Sequence, residues 1–221
     1  MMAVKFDLSL LPPAPDFRFE SELWTKGVAF VAGIDEAGRG ALAGPVSAAA
    51  LILPAEIGLQ ELLEGVRDSK EMTPKQREFW AWRLKKFALS WGVGYASNQE
   101  IDALGIVPAT RLAVQRALNE LVPAPQHLLI DYLDLPDCPL PQTALIKGDA
   151  RSLSIAAASI LAKTSRDALM RQMENLYPGY GFATHKGYAT AAHRQALFQL
   201  GPTPIHRLSF ELRQTYVDPS V

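Results

Sequence analysis

The stretch VAFVAGIDEAGRGALAGPVSAAALILP, residues 28–54, sets the architecture. Its first part, VAFVAGID (28–35), is a β-favouring apolar run. Its last part, GPVSAAALILP (44–54), is another, stopped by Pro54. Both read as buried strands. The link between them is short and rich in glycine, so the two strands are expected to pair antiparallel. The first run ends on adjacent acids, Asp35 and Glu36, and Gly38-Arg39-Gly40 follows at once. Successive strand side chains point to opposite faces. Two neighbouring carboxylates can therefore share a site only where a strand ends and the chain bends, and Gly38 and Gly40 are read as supplying that bend.

Outward from this stretch, helices and strands begin to alternate. TPKQREFWAWRLKKFALS (73–90) predicts an amphipathic helix: Thr73 caps it, Pro74 fills the first turn, Gln76 completes a capping box, and Phe79, Trp82, Leu84 and Phe87 form the apolar face. WGVGYAS (91–97) reads as a strand, NQEIDALG as a helical turn, and PATRLAVQRALNEL (108–121) as a helix. HLLID (127–131) and TALIKG (143–148) are further strands. A long helix with small residues covers 153–177, and a last helix covers about 190–200. The order gives an α/β fold, a mixed sheet with helices on its faces, whose site gathers at strand ends. Residues 1–27 form a lead-in with a short helix near FESELWTKG, 28–210 the main domain and 211–221 a tail.

The chain has 221 residues, 48% apolar and 20% charged, which is globular composition with length for a real core. Cys138 is the single cysteine, so no internal disulfide can form, in keeping with a reducing, cytoplasmic setting. No targeting segment or membrane span is expected. A net charge of −1 argues against a simple nucleic-acid binder. The distribution is uneven, however: residues 147–214 hold nine Lys or Arg against four acids, which permits a local basic surface.

Asp131 repeats the pattern of Asp35, an acid at the end of a buried strand, and Asp149 in ALIKGD nearly does. Each alone would pass as a turn residue. Together with Asp35 and Glu36 they would repel one another unless a divalent cation held them. Carboxylate oxygens without nearby His or Cys favour Mg²⁺ or Mn²⁺ over zinc. Two such ions about 4 Å apart can drive phosphodiester hydrolysis. Asp167, mid-helix, is explained by a surface pair with Lys163 four residues earlier. Asp134 and Asp137 read as solvated, and Cys138 as inert. Gly38-Arg39-Gly40 lets backbone groups approach a ligand; because it leads into a strand, it is not a dinucleotide fingerprint. In THKGYAT (184–190), Lys186 suits a phosphate, and Tyr188 can stack on a base or sugar.

GIDEAGRG, DSK (68–70), LLID, KGD (147–149), SIAAASILAKTSRD (154–167) and YGFATHKGYAT (180–190), in this order, resemble ribonuclease HII, the bacterial type 2 ribonuclease H, from about Val28 to Phe210. The resemblance implies a ribonuclease H-like fold, with a five-stranded mixed sheet flanked by helices and a helical C-terminal portion. It implies endonucleolytic cleavage of RNA in RNA–DNA hybrids, and incision 5′ of single ribonucleotides in duplex DNA that leaves 3′-hydroxyl and 5′-phosphate ends. Such cutting serves ribonucleotide and primer removal. Carried over, Asp35, Glu36, Asp131 and Asp149 hold two Mn²⁺ or Mg²⁺ ions. Gly38, Arg39 and Gly40 read the 2′-hydroxyl, Tyr188 packs on the sugar, and Lys70 and Lys186 are further substrate contacts. Ala41 stands where the family often has Pro, and Thr164 where an apolar residue is usual. RLSFELRQTYVDPSV (207–221) carries no persuasive clamp-binding peptide, and a monomer is expected. A non-catalytic binding module is disfavoured because four acids would repel phosphates. A Holliday-junction resolvase of the same superfamily is disfavoured by the GRG and HKGY elements.

Overall fold

Gly33 explains how the sheet is covered. It lies in β1 (Val31–Ala37), and a Cβ there would overlap the backbone carbonyl of Ser154 in α6 (Leu153–Leu176). The long helix thus sits directly on the strand, and the run Ala156–Ala158 continues the close approach. Gly33→Ala is expected to force the two apart and cost roughly 3 kcal/mol or more. Urea unfolding checks this.

The computed structural model describes residues 6, 7, 9 and 11–210, so the proposed tail at 211–221 lies outside the described residues. The remaining elements are α1 (Arg18–Thr25), β2 (Val46–Ile52), α2 (Leu59–Leu62), α3 (Pro74–Phe87), β3 (Ser90–Ala96), α4 (Asn98–Leu104), α5 (Ile106–Asn119), β4 (His127–Asp131), β5 (Gln142–Leu145), α7 (Phe182–His185) and α8 (Ala191–Leu200). The sheet order is β3-β2-β1-β4-β5. β1 pairs antiparallel with β2 and parallel with β4, so the sheet is mixed, as expected. One face carries α6 and α3. The other carries α5, whose Ala109, Ala113 and Ala117 share one buried cluster with Ala48, Ala50 and Ile34. None of the described helices is long and apolar enough to cross a membrane.

Three expectations need correction. β1 does not stop at the acids: Glu36 pairs with Ala48 and Ala37 with Ser47, so the ladder runs past them. β5 ends at Leu145, because Lys147 takes a left-handed backbone (φ 58°) and turns the chain into a single 3₁₀ turn, Gly148–Ala150. In α3 the capping box forms, but the buried stripe is Trp80, Ala81 and Leu84. Phe79 and Trp82 are 51% and 59% exposed. Each ring has a cation beside it instead: the Lys86 ammonium lies 3.9 Å from the Trp82 ring centre, and the Arg83 guanidinium 5.5 Å from that of Phe79.

Candidate active site

Parallel pairing in step brings the first two acids together. Ile34 is opposite Ile130, so the next residues, Asp35 and Asp131, leave neighbouring strands side by side on the same face. The 3₁₀ turn after β5 supplies Asp149, and the Gly148 N–H donates to Asp131 Oδ1 at 2.7 Å. Oxygens of Asp35, Asp131 and Asp149 all lie within 4.8 Å of one another.

Glu36 stands outside this triad. Because β1 continues through Ala37, the pleat still alternates, and the bend does not fold Glu36 in beside Asp35. Its backbone N–H donates to Asp35 Oδ1 at 2.7 Å, while its carboxylate accepts from Arg39 Nη1 at 3.0 Å. It remains close enough to feel Asp149 and Lys70.

The electrostatics show what the cluster lacks. Burial, then the negative charges of Glu36, Asp131 and Asp149, hold Asp35 well above the usual carboxylate range. Burial and Asp149 push Asp131 up to about 6. Burial also raises Glu36, against the pull of Arg39. Acids so placed are short of positive charge. The Lys70 ammonium reaches in, 3.2 Å from Asp149 Oδ2 and 3.6 Å from Asp68 Oδ1, on a side chain that is 74% exposed. Burial works against its charge, but Asp68, Asp149 and Asp35 outweigh it and raise its pKa. Hard carboxylate oxygens with raised pKa values fit Mg²⁺ or Mn²⁺.

Asp68 is a neighbour that residue patterns did not single out. It caps the 3₁₀ turn Ser69–Glu71, which Ser159 of α6 fastens through the Ser69 N–H. Burial first, with Asp149 adding, raises its pKa. The only sequence signal was its place in DSK.

The glycine–arginine–glycine segment is not uniform. Gly38 is buried with φ +91°, and a Cβ there would overlap the Arg166 guanidinium. Arg39 is partly open, and Gly40 is exposed with open space around it. Two buried arginines, each 0% exposed, hold this region. Arg207 donates to the carbonyls of Gly38 (2.7 Å), Arg39 (2.8 Å) and Gly44 (3.0 Å). Arg166 donates to those of Pro45 (2.9 Å), Lys186 (2.9 Å) and Ala43 (3.0 Å). Both belong to the basic last third, yet neither is available to phosphates.

Tyr188 is half-buried beside them. It bridges to Ala41, directly after the glycine–arginine–glycine turn, and its ring centre is 5.3 Å from both the Lys163 ammonium and the Arg166 guanidinium. Lys186 bends its ammonium back to the carbonyls of Ala183 and Thr184. Asp167 makes the expected pair with Lys163 (2.7 Å), but it is buried rather than on the surface and also faces Arg77 at 3.6 Å. Asp134 is exposed, paired with Arg111 at 2.7 Å.

Comparison with known proteins identifies the family. The family model for ribonuclease HII matches residues 32–213. A ribonuclease HII from a Synechococcus species is 55% identical over 89% of this chain and 88% of its own. One from Chloroflexus aurantiacus is 54% identical over 89% of this chain and 93% of its own. The crystal structure of ribonuclease H2 from Pyrococcus horikoshii superposes with a TM-score of 0.68 at 28% identity, covering 82% of this chain and 94% of that one. By sequence and by fold, the chain belongs to the ribonuclease HII family.

Proposed function

We propose that this enzyme, a ribonuclease H that cuts RNA paired with DNA endonucleolytically, also incises duplex DNA on the 5′ side of a single embedded ribonucleotide. The products would carry 3′-hydroxyl and 5′-phosphate ends, as ribonucleotide and primer removal require. The observation that carries this reading is the Asp35–Asp131–Asp149 triad set a few residues from an open glycine turn.

Asp35, Asp131 and Asp149 would hold two divalent cations, Mn²⁺ or Mg²⁺, with Glu36 reaching them after release from Arg39. When bound, the cations supply the Lewis-acid chemistry of phosphodiester hydrolysis. Lys70, already drawn to Asp149, is free to swing to a substrate phosphate once cations neutralise the acids. Arg39 and Gly40 present a turn whose backbone can reach a 2′-hydroxyl without regard to base identity, as reading a sugar rather than a sequence requires. Gly38 contributes by shape, since its Cα packs on the arginine beneath. The Tyr188 ring, braced by two cations, would pack on the sugar. Lys186 is a weaker contact, its ammonium being engaged with backbone carbonyls. A monomer suffices, because one chain carries every one of these groups.

Incubation with duplex DNA containing one ribonucleotide and Mn²⁺ or Mg²⁺ tests the reading. A cut 5′ of the ribonucleotide is expected, and equal cutting of an all-DNA duplex would refute it. Gly40→Ala should sharpen the result. The new methyl meets nothing in the protein, so stability should change by less than about 0.5 kcal/mol. It projects where the sugar would approach, and incision should fall at least about tenfold. Thermal unfolding and steady-state incision measure the two effects.

A further inference from the structure

Three histidines, His185, His193 and His206, are buried beneath the Tyr188 loop, and the backbone around them fixes the proton on every ring. A carbonyl only accepts and an N–H only donates, so each contact assigns a tautomer. His206 Nδ1 accepts from the Thr203 N–H at 2.8 Å, which leaves its proton on Nε2. That Nε2 lies 3.1 Å from His193 Nε2, which must therefore be bare. The His193 proton is then on Nδ1, where it donates to the Tyr188 carbonyl at 3.0 Å. His185 closes the set: its Nδ1 accepts from Gly187 N–H at 3.1 Å, and its Nε2 donates to the Tyr180 carbonyl at 2.6 Å. The His185 ring stacks on His193 with centres 4.3 Å apart. Every ring nitrogen is engaged, so no lone pair is left for a metal.

The result is a directional chain of donors, from Thr203 through His206 and His193 to Tyr188. It joins the segment after α8 to the residue proposed to pack on the sugar. We infer that His193 and His206 are positioning residues that set the Tyr188 backbone, and with it the ring, through this neutral two-histidine relay. The inference rests on the reading of Tyr188 as the sugar contact. Protonation of either ring would set two N–H groups against each other and break the chain. Burial opposes that charge, pulling His193 and His206 down to about 4. Glu174 and Lys186 act on His185, with opposite signs.

A mutant cycle and a spectroscopic measurement test the relay. His193→Leu should lower kcat/KM on the single-ribonucleotide duplex about ten- to a hundredfold, with Mn²⁺ stabilisation of the protein unchanged. His193→Asn, whose amide still donates to the Tyr188 carbonyl, should recover most of the loss. In a Tyr188→Ala background, His193→Leu should add less than about twofold. An undiminished loss in that background would overturn the relay while leaving Tyr188 as sugar contact. If Tyr188→Ala itself cuts normally, the sugar-contact reading fails and takes the relay with it. Ring-nitrogen NMR of the unaltered protein at neutral pH needs no variant to fold. It should show His193 protonated at Nδ1 and His206 at Nε2; imidazolium signals or the opposite tautomers would overturn the inference.

Discussion

Asp131→Asn is expected to lower kcat for incision at least about a thousandfold and, in the absence of divalent cations, to stabilise the protein at neutral pH. Both effects come from one carboxylate. Its folded pKa, about 6, is raised by burial and by Asp149 above the ordinary value of 3.8. A group raised in this way contributes stability in full below its unfolded pKa, and that stability is lost as pH rises through the folded value. Near pH 7 the charged Asp131 is therefore a net penalty, worth about 1–2 kcal/mol after allowance for its partial exposure. Asparagine removes the charge and keeps an oxygen to accept from the Gly148 N–H. The gain should vanish near pH 4, where the native carboxyl is already neutral. With Mn²⁺ present the order should invert, because only the native protein keeps the Asp131 carboxylate in the triad that would hold the cation. Thermal unfolding across this pH range, with and without Mn²⁺, measures all three. Stability is here given up for a site, and restoring it silences the site.

Arg166→Lys carries the second large effect. The guanidinium serves three backbone carbonyls from two separate segments while fully buried. An ammonium on a shorter reach cannot serve divergent acceptors, so at least one buried carbonyl loses its partner and a buried charge is poorly satisfied. A loss of about 3 kcal/mol is expected, seen as a fall of roughly 10 °C in Tm. Below that temperature, Mn²⁺ should still stabilise the variant, since none of the Asp35–Asp131–Asp149 triad hydrogen-bonds to Arg166. Incision at a ribonucleotide should suffer, because the Gly38 and Tyr188 segments lose their common support.

The parts of the structure legible in the sequence are those written as side-chain pattern. The apolar runs at 28–35, 44–54 and 127–131 gave strands, and the acids closing two of them lie together because β1 and β4 run parallel and in step. Thr73 and Gln76 announced α3 with a capping box that forms. The misreadings share a cause: the deciding partner was a backbone atom, or a cation one helical turn away whose contact an apolar-face reading does not register. Asp149 looked like a strand end, but Lys147 adopts a left-handed turn that non-glycine residues seldom take. Phe79 and Trp82 looked like core, but they stay exposed, each beside a cation, Arg83 and Lys86. Arg166 and Arg207 looked like surface charge, yet five of their six acceptors are carbonyl oxygens of residues more than a hundred positions away. The three histidines carried no pattern either, since the contacts that fix their protons run largely through main-chain groups.

The adjacency of Asp35 and Glu36 also reads differently once the ladder is seen to pass them. Asp35 belongs to the triad. Glu36 is held one step away by Arg39, a residue of the turn proposed to meet the substrate. In the proposed reading, contact of substrate with Arg39 would free Glu36 for the cations, and the full donor set would form only with substrate in place.

The most direct measurement is therefore a Mn²⁺ titration by calorimetry, with and without an uncleavable duplex carrying a single ribonucleotide analogue. Two ions per chain are expected with the duplex present, weaker or fewer without it, and none at this site in Asp131→Asn. Absence of Mn²⁺ binding, or binding that Asp131→Asn leaves intact, would contradict a metal centre at Asp35, Asp131 and Asp149.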